Sequence, residues 1–150
     1  MSYTILVADD SAIVRSMVKK AISMAGLDVG HVHEAANGRE ALDILRRTWV
    51  DVVFADINMP EMTGAELVRH MKADPALATT PVVIVSSERS AARIEELQRD
   101  GARAYLKKPF RPEQFREVVD ALLGVDGAPA LLGAAGARAL PVVDGAPHAR

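Results

Sequence analysis

Acidic residues, a hydroxyl and a lysine stand at the ends of short apolar runs that are far apart in this sequence. Two adjacent aspartates follow the first run, one aspartate ends the third, a serine ends the fourth and a lysine follows the fifth; these are Asp9, Asp10, Asp56, Ser86 and Lys108. Carboxylates bind hard cations, and an ammonium and a hydroxyl can neutralise or hydrogen-bond a phosphoryl group. The residue types therefore indicate metal-assisted phosphate chemistry, provided that the fold brings them together.

The composition of this set narrows the chemistry. Three carboxylates in one crevice repel one another, so some of them would be protonated unless a cation lay among them. The set contains no histidine and the chain contains no cysteine, which leaves oxygen ligands and favours Mg²⁺. A carboxylate can also be the nucleophile of phosphoryl transfer, giving an aspartyl phosphate. Such transfer depends on positioning and on neutralising the charge of the phosphoryl oxygens.

Strands and helices are predicted to alternate along the chain. Four runs are almost continuously apolar, as expected for parallel strands covered on both faces, namely 5–8, 50–55, 81–85 and 104–106. The segment 31–35 alternates polar and apolar residues and is predicted to be an edge strand. Helical spacing of apolar residues, with Ser11 as a candidate N-cap and Pro112 in a first turn, predicts five helices that begin near 11, 38, 64, 90 and 112.

Five such units predict an α/β fold with a parallel sheet and helices on both faces. The flavodoxin-like strand order 2-1-3-4-5 is the leading arrangement for five strands. The carboxyl ends of parallel strands open onto one crevice, and strands 1 and 3 flank the point where the strand order reverses. The fold would therefore bring the polar residues of the first paragraph to one place.

At this point the sequence resembles a known family. The Asp9-Asp10 pair, the segment 56–60 (Asp-Ile-Asn-Met-Pro) with Gly64, Ser86 and the segment 108–110 (Lys-Pro-Phe) resemble receiver domains of two-component response regulators, of the stand-alone chemotaxis type. The resemblance covers about residues 3–123.

The resemblance implies a role for each residue of the set. Asp56 would be the phosphoacceptor, Lys108 would pair with the phosphate and Ser86 would be the switch hydroxyl. Asp10, Asp56 and the Asn58 backbone carbonyl would hold Mg²⁺, which Mn²⁺ could replace, and Asp9 would contact the metal through water.

Three further residues take roles from the same resemblance. Tyr105 would be an aromatic switch that turns inward when the Ser86 hydroxyl moves toward the phosphate. Asn58 and Glu88, each two residues past a key site, would lie beside the path of water to the acyl phosphate and modulate dephosphorylation. The Lys108–Pro109 peptide bond would be cis.

Simpler structural explanations stand beside these roles. Asp9 and Asp10 precede a helix and could serve only to cap it, and Ser86 with Ser87 could do the same for the fourth helix. Tyr105 could be an ordinary packing residue of a short strand.

The resemblance also implies how the protein would signal. A histidine kinase would be the phosphodonor, with acetyl phosphate as a small substitute, and the output would be a protein contact through the face of helix 4, strand 5 and helix 5. The chain would not be an enzyme in the ordinary sense, because it would catalyse only its own phosphorylation and dephosphorylation. We expect a role in chemotaxis or motility; a phosphorelay or kinase-regulating receiver outside motility is the alternative.

Composition places limits on partners and location. The formal net charge of −2 gives no basic face for nucleic acid. No stretch approaches the length of a membrane span and no secretory leader is evident, so we expect a cytoplasmic location without membrane insertion. We expect residues 1–123 to form the receiver domain and the Gly-, Ala- and Pro-rich residues 124–150 to form a flexible tail without a core for a fused DNA-binding domain.

Three other functions are compatible with a sheet of this kind. A flavodoxin-like cofactor binder would need a phosphate loop after strand 1, where Asp9 and Asp10 would repel phosphate. A phosphatase with an aspartate nucleophile commonly has a second acid two residues later, where this chain has Asn58. A degenerate receiver that signals without phosphate would lack acceptor, metal or lysine residues, and all of these are present.

Overall fold

Strands and helices alternate along residues 2–124 and 142–143, which are the residues described by the computed structural model. All strand pairs are parallel, and the sheet order is β2-β1-β3-β4-β5-β6. The elements in chain order are β1 Tyr3–Ala8, α1 Ala12–Met24, β2 Val29–Ala35, α2 Gly38–Arg47, β3 Val52–Ala55, α3 Gly64–Ala73, β4 Val82–Ser86, α4 Ala91–Asp100, β5 Ala104–Lys107, α5 Pro112–Leu123 and β6 Val142–Val143.

The predicted order 2-1-3-4-5 is confirmed, and the structure adds a two-residue strand beside β5. This strand, β6, comes from the segment 124–150 that the sequence analysis assigns to a flexible tail. Residues 125–141 and 144–150 lie outside the described residues, so most of that prediction stays a prediction.

Helices cover the sheet on both faces, and successive residues of each strand pack on opposite faces. On one face, Leu6 and Tyr105 pack with residues of α2, α3 and α4. On the other face, Ile5 and Leu106 pack with α1 and α5, where the Phe54 and Phe115 rings lie 5.1 Å apart. This two-sided burial explains why the strands read as continuous apolar runs.

The helix starts are set by capping side chains. Ser11 accepts a hydrogen bond from the Val14 N–H, as predicted, and α5 begins with Pro112 in its first turn. The alternative in which Ser86 and Ser87 cap the fourth helix is wrong, because Ser90 accepts the Arg93 N–H there. Ser86 is instead the last residue of β4.

Candidate functional site

The carboxyl ends of four strands meet at one edge of the sheet. Ala8 pairs with Ala55 and Ser86 pairs with Lys107, so the residues that follow these positions are neighbours in space. The Asp56 N–H donates to the Ala8 carbonyl at 3.0 Å, and the Lys108 N–H donates to the Ser86 carbonyl at 2.9 Å. Parallel pairing therefore assembles the candidate site from residues about a hundred positions apart.

Asp9, Asp10 and Asp56 form the acidic cluster of this site. Each offers a carboxylate oxygen, and these oxygens lie within 4.8 Å of one another. Asp9 is buried, Asp56 is half-buried and Asp10 is exposed, so the cluster opens to solvent on one side. An oxygen-only set with access to water matches the preference of Mg²⁺, which keeps several waters and binds one or two carboxylates directly.

Lys108, the residue that follows β5, reaches this cluster. Its Nζ lies 3.2 Å from Asp9 Oδ2 and 3.4 Å from Asp56 Oδ2. The Lys108–Pro109 peptide bond is cis, as the family resemblance implies. The lysine thus places one positive charge between two carboxylates.

The electrostatics of Asp56 reflect competing effects. Burial raises the pKa of Asp56 above its ordinary value, the Lys108 ammonium opposes that rise, and the Asp9 carboxylate adds to it. Burial is the largest of these effects, so Lys108 alone does not compensate the carboxylate fully. An added cation in the cluster would favour the ionised form, which is the nucleophilic form of the side chain.

Backbone contacts orient the carboxylates of Asp9 and Asp56. Asp56 Oδ1 accepts the Ile57 N–H at 2.7 Å, and Asp9 Oδ1 accepts the Ser11 N–H at 2.9 Å. In each aspartate the other oxygen, Oδ2, faces Lys108. One oxygen of each carboxylate is thereby held by the backbone while the second faces the site.

Ser86 and Tyr105 form a second group behind the lysine. Ser86 is buried, and its Oγ accepts the Glu88 N–H at 3.3 Å. The Tyr105 side chain is fully buried, and its hydroxyl donates to the Ser86 carbonyl at 3.0 Å and also to the Glu88 carbonyl. Tyr105 is therefore joined to the end of β4, the strand that carries the candidate switch serine.

Asn58 and Glu88 flank the site without joining its ion pairs. Asn58 lies with an exposed side chain in the loop after β3, two residues past Asp56. Glu88 is half-buried, and its Oε2 accepts the Ser90 N–H at 3.0 Å, next to the start of α4.

Arg15 contributes to the site and was missed in the sequence analysis. Its Nη1 donates to the Asp9 carbonyl at 2.7 Å, and its Nε pairs with Glu34 at 2.9 Å. The predicted strand order could have indicated this contact. It places β2 beside β1, and Glu34, the partner of Arg15, pairs with Val7 near the end of β1. Arg15 is a positioning residue, since it holds the backbone of an acidic residue.

Comparison with known proteins identifies the family. The model of the response regulator receiver domain matches residues 5–120, which is most of the chain. This chain belongs to the response regulator receiver domain family. It is 36% identical over 121 residues to a chemotaxis protein CheY homolog of Campylobacter jejuni, covering 80% of this chain and 92% of the relative. It is 37% identical to the chemotaxis protein CheY of Thermotoga maritima, covering 80% and 97% of the two chains.

Solved structures give the same result for the fold. The chemotaxis response regulator CheY4 of Vibrio cholerae superposes with a TM-score of 0.73 at 34% identity, covering 82% of this chain and all of that one. The chain is thus a response regulator receiver of two-component signalling. Its acidic pocket is of the kind in which receiver domains bind Mg²⁺. No helix among the described residues is long and apolar enough to cross a membrane.

The burial of Tyr105 predicts a pH dependence of stability. Burial raises the pKa of the Tyr105 phenol from 10.0 to about 12. The neutral phenol therefore stabilises the fold fully below pH 10, and this contribution of about 2 kcal/mol is lost as the pH rises from 10 to 12. Denaturant unfolding at a series of alkaline pH values should show wild type losing stability relative to Tyr105→Phe over that range. Parallel pH profiles for the two proteins would contradict the assignment.

Proposed function

We propose that Asp56 accepts a phosphoryl group and that residues 1–123 convert this modification into a change of protein-binding surface. The observation that supports the proposal most directly is that the Asp56 carboxylate lies 3.4 Å from the Lys108 ammonium and belongs to the acidic cluster with Asp9 and Asp10. An ammonium and a bound cation beside a carboxylate would suit a nucleophile that must approach an anionic phosphoryl group.

The chemistry follows from the residues present. A carboxylate oxygen of Asp56 attacks phosphorus and forms an O–P bond, while the bond from phosphorus to the nitrogen of the donor's phosphohistidine breaks and the imidazole leaves. Lys108 offsets the charge of the phosphoryl oxygens. Mg²⁺, bound by Asp10, Asp56 and the Asn58 carbonyl with Asp9 as an outer contact, would supply the remaining positive charge; Mn²⁺ would serve as a substitute.

The switch is proposed to run through the hydroxyl of Ser86. This hydroxyl would hydrogen-bond the phosphoryl oxygens, and Tyr105 would respond because its own hydroxyl is anchored on the Ser86 and Glu88 carbonyls. Stabilising the inward tyrosine in this way biases a two-state element by new phosphate contacts. Asn58 and Glu88 would modulate the attack of water that resets the switch.

The pathway is proposed from the relatives. Receiver domains of this type take the phosphoryl group from a histidine kinase and act on protein targets, and the curated relatives compared above are named as chemotaxis proteins. We propose a cytoplasmic role in chemotaxis or motility, with the target bound on the face of α4, β5 and α5. The protein would catalyse only its own phosphorylation and dephosphorylation.

Intact-mass measurement after treatment with acetyl phosphate tests the proposal. With Mg²⁺ present, the protein should gain the mass of one phosphoryl group, and a chelator added before the donor should prevent that gain. A protein that folds normally yet gains no mass with Mg²⁺ would refute the phosphoacceptor role.

Lys108→Ala should separate the role of the lysine in stabilising the acidic cluster from its role in phosphoryl transfer. Its removal leaves the Asp9 and Asp56 carboxylates side by side without their cation, so we expect a loss of about 1–3 kcal/mol in the free energy of unfolding without Mg²⁺. Millimolar Mg²⁺ should restore part of that loss, and donor labelling should persist in part. Lys20→Ala, which removes an exposed lysine of α1, is the control and should change neither property. Equal stability of the two variants without Mg²⁺ would contradict the electrostatic role.

A further inference from the structure

The outer edge of β5 is occupied by a strand from the chain's own C-terminal segment. On one side β5 pairs with β4, and on the other side Tyr105 pairs with Val142 and Leu106 with Val143. The side chains of Tyr105 and Leu106 are buried in opposite faces of the sheet. A strand arriving at this edge therefore recognises β5 mainly through its backbone N–H and C=O groups.

The sequence explains why the segment pairs at this point. Within 124–150, only Val142 and Val143 are successive β-branched residues, the type that favours strands. Pro141 precedes them and Asp144-Gly145 follows them, which limits the strand at both ends. Parallel pairing needs a connection of about a dozen residues or more, and α5 with residues 124–141 exceeds that length.

We propose that residues 142–143 act as an intramolecular ligand of the β5 edge, which an incoming partner must displace. The inference rests on the proposed function, in which β5 belongs to the output face. The strand and an external partner strand would require the same backbone groups of β5, so both cannot pair there at once.

The energetics make this occupancy reversible. A two-residue strand adds few hydrogen bonds and is marginal alone, but its tether gives it an effective concentration in the millimolar range. The pairing also lies next to the candidate switch, because Val142 is opposite Tyr105, whose hydroxyl donates to the Ser86 carbonyl. The segment thus regulates access to the part of β5 that is joined to the phosphorylation site.

Amide hydrogen exchange in the full chain tests the pairing. The variant Val142→Pro/Val143→Pro removes both N–H groups of the strand, whereas Val142→Thr/Val143→Thr keeps them in a β-branched residue. Those amides of residues 104–107 that are directed toward β6 should exchange at least about tenfold faster in the proline variant than in wild type, with the threonine variant close to wild type. The amides of β4 are the internal reference and should not change.

Two outcomes would overturn the inference. Equal exchange of the β5 amides in all three proteins would show that the strand does not protect this edge. Protection that rises with protein concentration would show that the strand comes from a second copy and not from the same chain.

A peptide of residues 139–145 (Ala-Leu-Pro-Val-Val-Asp-Gly) tests the competition. It should slow exchange at β5 in the proline variant and bind the threonine variant at least about tenfold more weakly, because there the tethered strand occupies the edge. Equal affinity for both variants would contradict competition. Labelling of Asp56 by acetyl phosphate is measured on the same samples. Absence of labelling in wild type would refute the phosphoacceptor proposal alone. Normal labelling, with β5 amide exchange that is the same in all variants, would refute only the strand proposal.

Discussion

Asp56→Asn is expected to abolish the phosphoryl adduct that wild type acquires from acetyl phosphate and Mg²⁺. The amide of asparagine is not a nucleophile toward phosphorus under these conditions. Asp9 also faces Lys108, but it is buried, whereas Asp56 is half-buried and is the more accessible of the two. Asparagine can still accept the Ile57 N–H through its Oδ1, so the loop after β3 should keep its structure. The variant should therefore lose phosphorylation while it keeps its fold, and intact-mass measurement should show only the unmodified mass.

Two further variants make this result specific. Asp43→Asn removes an exposed carboxylate of α2, away from the acidic cluster, and should be labelled like wild type. Asp9→Asn should be labelled more slowly, because Asp9 contributes to the acidic cluster and pairs with Lys108 but is not the acceptor. An unchanged adduct on the Asp56 variant would move the acceptor to another residue and refute the assignment.

The same substitution should also affect stability in a defined direction. The pKa of Asp56 is raised, so its carboxylate is less stable in the folded protein than in the unfolded chain at neutral pH. A neutral asparagine removes that penalty, and Asp56→Asn should be at least as stable as wild type without Mg²⁺. A folded but unlabelled variant then separates loss of chemistry from loss of structure.

The arrangement of the site was predictable because it depends on strand ends, which sequence patterns locate well. The continuous apolar runs predict that the first and third strands end at Ala8 and Ala55, which is where β1 and β3 end. Asp9 and Asp56 follow these strand ends directly, and parallel pairing of β1 with β3 makes them neighbours. Strand starts were less accurate. β3 begins at Val52 instead of residue 50, and Asp51 just before it accepts the Thr4 N–H with its side chain, a long-range contact that hydropathy does not encode.

Contacts between elements were harder to predict than the elements themselves. The hydrogen bond from Arg15 to the Asp9 carbonyl depends on the orientation of α1 over β1, which a linear pattern does not specify. β6 was missed because two valines in a Gly- and Ala-rich segment form a strand only when an edge is available beside them. In both cases tertiary geometry decides the outcome.

Gly64 at the start of α3 illustrates how closely the backbone supports the acceptor. Its N–H donates to the Ile57 carbonyl at 2.8 Å, which closes the loop that follows Asp56. A Cβ at this position would overlap the Asp56 carbonyl oxygen and lie 3.1 Å from both the Asp56 carbonyl carbon and Ile57 Cα. All three atoms belong to the backbone, so no side-chain rotation can relieve the contact.

Gly64→Ala is therefore expected to lower the free energy of unfolding by about 3 kcal/mol or more, measured by denaturant titration. Gly30→Ala is the matched control, because its Cβ would lie 3.1 Å from the side chain of Ser2, near the chain terminus, and at an ordinary 3.7 Å from the Tyr3 carbonyl oxygen. Its cost should therefore stay within about 1 kcal/mol. Accommodating the new methyl group in Gly64→Ala requires the start of α3 and the main chain of Asp56 to move apart, so the remaining folded protein should also be labelled more slowly by acetyl phosphate. Stability and labelling equal to those of Gly30→Ala would mean that the loop can relax, and that the close approach of Gly64 does not position the acceptor.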